Sequence, residues 1–115
     1  MSIKLGIREV EGVRIVDVSG RLTLGEGTSA LRNAVREMAT LGDKKILLNL
    51  ADVSHLDSSG IGELVSAFVT VSNQGGKLKL VKLSDRVQGL LLVTKLFTVF
   101  EVFDDEATAV RSFTS

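Results

Sequence analysis

The sequence predicts an α/β domain with a mixed, mostly parallel sheet, an N-terminal antiparallel strand and about four helices. Three observations predict it. Strand-like and helix-like apolar patterns alternate along the chain. The first two strand patterns are separated only by Glu11-Gly12, a hairpin spacing. No proline and no Ser/Gly-rich linker divides the 115 residues, so residues 1–115 read as one domain.

Taken in order, Ile3, Leu5 and Ile7 alternate with Lys4, Gly6 and Arg8 over residues 3–10. Val13, Ile15, Val16 and Val18 form the second strand of the hairpin, and Gly20 is expected to stop it. Leu31, Ala34, Val35, Met38 and Leu41 recur at spacings of three and four, which predicts a helix over residues 27–41. Thr28 or Ser29 is its candidate cap, and Gly42 ends it. The run Ile46-Leu47-Leu48-Asn49-Leu50 suits a strand in the middle of a sheet.

A second helix starts near Ser58, with Ile61, Leu64, Val65, Phe68 and Val71 as its apolar stripe and Gly75-Gly76 as its stop. Leu78, Leu80 and Val81 make a strand, and the lysines Lys77, Lys79 and Lys82 around it read as a solvated edge. Ser84 or Asp85 caps a third helix, in which most of Leu90-Leu91-Leu92-Val93 is expected to be core, the alternative being an exposed patch beside the Ser58 loop that helps bind a partner. Val99, Phe100, Val102 and Phe103 read as the last strand, and Asp104 or Asp105 starts a terminal helix with Ala107 and Val110. Repeated β-α-β units imply parallel strands with right-handed crossovers.

Composition removes several function classes. Fourteen basic residues balance fourteen acidic ones, without a basic cluster, so nucleic-acid binding is not expected. Five phenylalanines, with no tryptophan or tyrosine, supply few stacking platforms. The absence of cysteine excludes disulfides and thiolate metal sites. Met1-Ser2-Ile3-Lys4-Leu5-Gly6 lacks the apolar region of a signal peptide, and no apolar run is long enough for a membrane span. A soluble cytoplasmic domain is expected, with no membrane association, no metal and no cofactor.

The segment with chemistry is Leu56-Asp57-Ser58-Ser59-Gly60-Ile61-Gly62, between a buried strand and an amphipathic helix. It joins a carboxylate and two hydroxyls to a helix N-terminus, whose free N–H groups and positive dipole end accommodate a phosphate. By residue type alone, an Asp or Ser ahead of a helix is first of all an N-cap. Gly60 and Gly62 are expected to keep side-chain bulk away from the tip, so that another protein's backbone can approach.

This segment resembles the STAS family, the SpoIIAA-like domains named for sulfate transporters and anti-sigma factor antagonists. The likeness runs through the apolar strand and the loop Asp52-Val53-Ser54-His55-Leu56-Asp57-Ser58-Ser59-Gly60, which is similar to the family's Asp-x-Ser-x-x-Asp-Ser-Ser-Gly. It extends to Val16-Asp17-Val18-Ser19-Gly20-Arg21-Leu22, to Gly75-Gly76-Lys77-Leu78-Lys79-Leu80 and to Leu96-Phe97-Thr98-Val99-Phe100. The resemblance implies a non-enzymatic, partner-switching antagonist. Unmodified, it binds an anti-sigma factor that is also a serine kinase of the histidine-kinase-like ATPase type, and so frees the sigma factor. Phosphorylation of the serine after the Asp, here Ser58, dissociates the complex, and a metal-dependent serine phosphatase reverses it. Asp57, Ser58, Ser59, Gly60, Ile61, Gly62 and Thr23 are the residues expected at the partner interface. Thr23 stands where many antagonists carry Asp after Gly-x-Leu. The alternative is therefore a STAS scaffold of a stressosome-like or other non-sigma pathway.

Two further patterns are weighed against plainer readings. His55, Asp57 and Ser58 contain the residue types of a Ser-His-Asp triad, but Gly-x-Ser-x-Gly is missing and triads are set by space, not adjacency. Gly25-Glu26-Gly27-Thr28-Ser29-Ala30 fits Gly-x-Gly-x-x-Ala, but the preceding strand is expected to end five residues earlier and belongs to a hairpin. Projection at ~100° per residue favours Ser59 as the modified serine and puts Ser58 at the margin of the apolar stripe, but Ser58 is the residue expected to be modified. The apolar stripe has its centre nearly opposite Ser59, whereas the resemblance designates Ser58.

Overall fold

The chain opens on a hairpin whose turn needs two left-handed residues. Glu11 has φ 49° and Gly12 φ 81°, the signature of a two-residue primed turn. This turn closes β1 (Ile3–Val10) onto β2 (Val13–Leu22) in antiparallel register, with Val10 opposite Val13. The computed structural model describes residues 3–114; Met1 and Ser2, on which the leaderless reading partly rests, and Ser115 lie outside the described residues.

The elements that follow are α1 (Glu26–Thr40), β3 (Lys45–Leu56), α2 (Ser58–Asn73), β4 (Lys77–Val81), α3 (Asp85–Thr94), a 3₁₀ turn at Leu96–Thr98, β5 (Val102–Phe103) and α4 (Glu106–Ser112). The strands pair in sequence order, β1-β2-β3-β4-β5, and all pairs after the hairpin are parallel. Because every crossover steps in one direction, right-handed connections bring α1, α2 and α3 to the same face. Leu31, Val35 and Met38 of α1, Leu64, Ala67 and Val71 of α2, and Val87 and Leu91 of α3 share one core with Val16, Leu48 and Leu80. Among the described residues the opposite face carries only α4, whose Ala109 and Val110 pack on Ile15, Leu47 and Val81. Arg8 ties this second layer to the hairpin through Asp17 at 2.7 Å and Glu106 at 2.6 Å.

Six expectations are corrected. β2 runs past Gly20 to Leu22, and β3 runs past Leu50 to Leu56. The two strands stay paired there through register shifts after Asp17 and Gly20, a local bulge that the apolar pattern does not announce. β5 is only Val102–Phe103; Val99 and Phe100 precede it in a loop, where Phe100 is buried edge-on against Phe68.

α1 is capped by Gly25, at φ 108°, and not by Thr28 or Ser29. α2, α3 and α4 take Asp57, Ser84 and Asp105 as their caps.

The lysine-bearing strand β4 is not an edge, since β3 and β5 flank it. Lys77 and Lys82 are exposed, but Lys79 is buried. Alternation turns Lys79 to the α4 face. There its ammonium lies 4.6 Å from the Phe113 ring centre and 2.9 Å from Ser112 Oγ. In α3, finally, Leu91 is fully buried, Leu90 is half-buried, and Leu92 and Val93 are exposed. A ten-residue helix lying on one sheet face buries only one stripe.

Candidate functional site

The site forms where β2 and β3 end side by side and α1 and α2 begin. Leu22 pairs with Leu56, so the two strand exits deliver Thr23-Leu24-Gly25 and Asp57-Ser58-Ser59 to neighbouring positions. Asp57 has extended backbone angles and caps α2: its Oδ1 accepts the Gly60 N–H at 2.8 Å. Its second oxygen, Oδ2, accepts the Leu24 N–H at 3.0 Å. One carboxylate thus joins the α2 tip to the loop before α1. The Leu24 N–H, followed by that of Gly60, holds the Asp57 carboxyl below the usual aspartate range.

The loop is braced on its own side as well. Thr23 contributes its carbonyl, which accepts the Thr28 N–H at 3.1 Å, and the Gly25 N–H donates to Thr28 Oγ1 at 3.3 Å. The φ of +108° at Gly25 is one that side chains rarely adopt. Thr23 is half-buried, and the loop closes without a carboxylate at that position, the bridging carboxylate being that of Asp57. Leu24 projects between these anchors with 76% of its surface exposed.

Ser58 is the first residue of α2 and is exposed; Ser59 is half-buried. The face that α2 buries deepest is Gly60, Glu63, Leu64, Ala67 and Val71, while Ile61, Val65 and Phe68 are only half-buried. The buried face is therefore turned toward Gly60 from the predicted stripe. Measured from it, Ser58 lies about 160° away and Ser59 about 100°. With the observed face, projection and exposure both favour Ser58.

The two glycines have different surroundings. Gly62 is exposed, with nothing near an added Cβ, which fits the expectation of an unobstructed tip. Gly60 is buried instead, against the Leu22 carbonyl and the Leu56 side chain. Its lack of a side chain serves the packing of α2 on the end of β2.

Glu63 was not singled out by sequence, and it is the buried charge of the site. Its Oε1 accepts from Arg32 Nη2 at 2.8 Å and Nε at 3.2 Å, linking α2 to α1. Its spacing of three from Gly60 and four from Ala67 was the available signal: a carboxylate in the buried stripe requires a partner.

The triad geometry is not assembled. His55 Nδ1 pairs with Ser54 Oγ at 3.0 Å, and both Asp57 oxygens are held by backbone N–H groups. β2 ends closer to Gly25 than expected, yet the α1 tip spends N–H groups on its own loop, at Thr23 and Thr28. Among the described residues no group of three His, Asp or Glu is placed to hold a metal ion. Among them, too, no helix is long and apolar enough to cross a membrane.

A profile of the STAS domain matches residues 4–109. The chain is similar to the anti-sigma-B factor antagonist of Bacillus subtilis, with 33% identity over 103 residues, covering 89% of this chain and 92% of that protein. Its fold is similar to the crystal structure of an anti-sigma factor antagonist from Mycobacterium paratuberculosis, with a TM-score of 0.85 at 21% identity, covering 99% and 96% of the two chains. It is also similar to the phosphorylated form of the Bacillus cell fate determinant SpoIIAA, with a TM-score of 0.73 at 17% identity, covering 96% and 98%.

Proposed function

The chain belongs to the STAS domain family, and from that premise we propose that it is an anti-sigma factor antagonist switched off by phosphorylation of Ser58. It is a binding module, not an enzyme. Unmodified, it binds an anti-sigma factor that is also a serine kinase of the histidine-kinase-like ATPase type, and a metal-dependent serine phosphatase restores that state.

The observation that carries this reading is the position of Ser58. It is the first residue of α2, exposed, and directly follows the Asp57 cap. A phosphate there adds about −1.5 to −2 charges. The helix tip tolerates the anion, so the domain need not refold. A partner packed against the tip meets a hydrated dianion beside the Asp57 carboxylate instead. Each ~1.4 kcal/mol of desolvation and repulsion weakens the complex about tenfold. Support also comes from the 33%-identical relative named as an anti-sigma-B factor antagonist.

Titration calorimetry with the anti-sigma-B factor of Bacillus subtilis tests it. Ser58→Ala keeps the wild-type affinity and Ser58→Asp weakens it. Equal affinities for the two variants contradict the switch.

A further inference from the structure

We propose that Leu24 is an apolar anchor of the partner-binding surface and that Asp57 is the residue that positions it. The inference rests on the functional reading above and names a part of the surface that the loop motif does not contain.

Leu24 combines two properties. Its side chain is 76% exposed, and its backbone is fixed on three sides. Its own N–H is held by Asp57 Oδ2 at 3.0 Å. Thr23, before it, is pinned through its carbonyl to the Thr28 N–H at 3.1 Å. Gly25, after it, has φ +108° and caps α1. Gly27, in the first turn, is packed so closely on the Arg21 carbonyl that a Cβ does not fit. The loop cannot fold the leucine back onto the core without breaking these contacts.

An exposed apolar side chain on a fixed backbone loses little freedom when it enters a pocket, and such preorganisation is what gives anchors their weight in an interface. The occupant follows from continuity. The carboxylate that holds Leu24 also caps the helix whose first residue is Ser58. A protein docked over Ser58 therefore meets Leu24, and the anti-sigma factor is expected to present an apolar pocket to it. Asp57 touches the partner only indirectly in this role; it sets where the leucine stands.

The binding experiment uses the unphosphorylated full chain and the anti-sigma-B factor of Bacillus subtilis. Leu24→Ala is expected to weaken binding about tenfold or more, and Leu24→Met to recover most of it. Leu41→Ala is the control. Leu41 is 67% exposed but stands at the far end of α1, about 22 Å along the helix. It is expected to leave the affinity unchanged. Asp57→Asn is expected to weaken binding too, and its combination with Leu24→Ala to add little, because one residue acts through the other. In the free protein, the Leu24 amide is expected to exchange slowly in wild type and faster in Asp57→Asn. Wild-type affinity in Leu24→Ala overturns the anchor and leaves the functional reading standing. Full additivity, or a freely exchanging Leu24 amide in wild type, overturns the positioning role. Absence of binding by the wild-type protein overturns the functional reading and the anchor together.

Discussion

Gly60 lies so close to the carbonyl oxygen of Leu22 that no Cβ fits between them, and Leu56 Cδ1 would stand only 2.7 Å from such an atom. The start of α2 thus sits on the end of β2, which brings the Ser58 tip beside the loop that carries Leu24. Gly60→Ala is expected to destabilise the domain by about 1–3 kcal/mol, because the obstacle is backbone. Gly62→Ala meets nothing within 4 Å and is expected to stabilise by about 0.5–1 kcal/mol as an ordinary helix substitution. Urea unfolding compares the two; equal effects contradict this account of the first turn.

Asp57 gives the site a dependence on pH. Its carboxyl is held below the ordinary range in the folded chain, by the Leu24 N–H first and the Gly60 N–H second. A depressed acid stabilises the fold above its unfolded value of about 3.9, and that contribution is lost as pH falls through the lower folded value. Asp17 and Glu106, held low by Arg8, act in the same acid window. The quantity to measure is therefore the difference between wild type and Asp57→Asn. It is expected to be constant from pH 7 to about 5 and to shrink below about 4. A difference that grows on acidification contradicts the geometry.

Lys79 fastens the second layer. Its ammonium lies between the rings of Phe113 and Phe103, 4.6 and 5.7 Å from their centres, and it donates to Ser112. Lys79→Ala removes these contacts, together with the 3.5 Å ion pair to Glu101, and leaves a gap under α4. A loss of about 2 kcal/mol is expected, with the α4 amides losing hydrogen-exchange protection first. Uniform loss across the sheet would show that Lys79 does not act through α4.

Arg32 and Glu63 couple the two helices of the site. Glu63 is 6% exposed, while the Arg32 side chain is 45% exposed. Arg32→Ala strands a buried carboxylate, and solvent access at the arginine limits the expected cost to about 1–2 kcal/mol. Glu63→Gln in the same chain is expected to recover part of that loss; no recovery in a double-mutant cycle means the pair does not interact.

The order of strands and helices was legible because each element buries one face, and burial writes its period into the sequence. The rotation of α2 was not. Its deepest positions include Gly60, which has no side chain, and Ala67, whose methyl weighs little in an apolar pattern beside Ile61, Val65 and Phe68. Val99 and Phe100 misled the reading of the last strand, because a buried loop phenylalanine packed on Phe68 is as apolar as a strand. Lys79 departs from the solvated edge expected for β4, because a lysine can be buried when its head finds aromatic rings and a helix end. The loop motif located Asp57 and Ser58, but the bond from Leu24 to Asp57 spans 33 residues. It exists only because β2 and β3 are neighbours with Leu22 opposite Leu56, and no local pattern encodes that.

Ser58, exposed at the α2 tip, is the residue proposed to switch the complex. Fragment-ion mapping after incubation with ATP and an anti-sigma factor kinase of the histidine-kinase-like ATPase type tests it most directly. One phosphate is expected, on Ser58, absent from Ser58→Ala. A phosphate on Ser59 that persists in Ser58→Ala would contradict it.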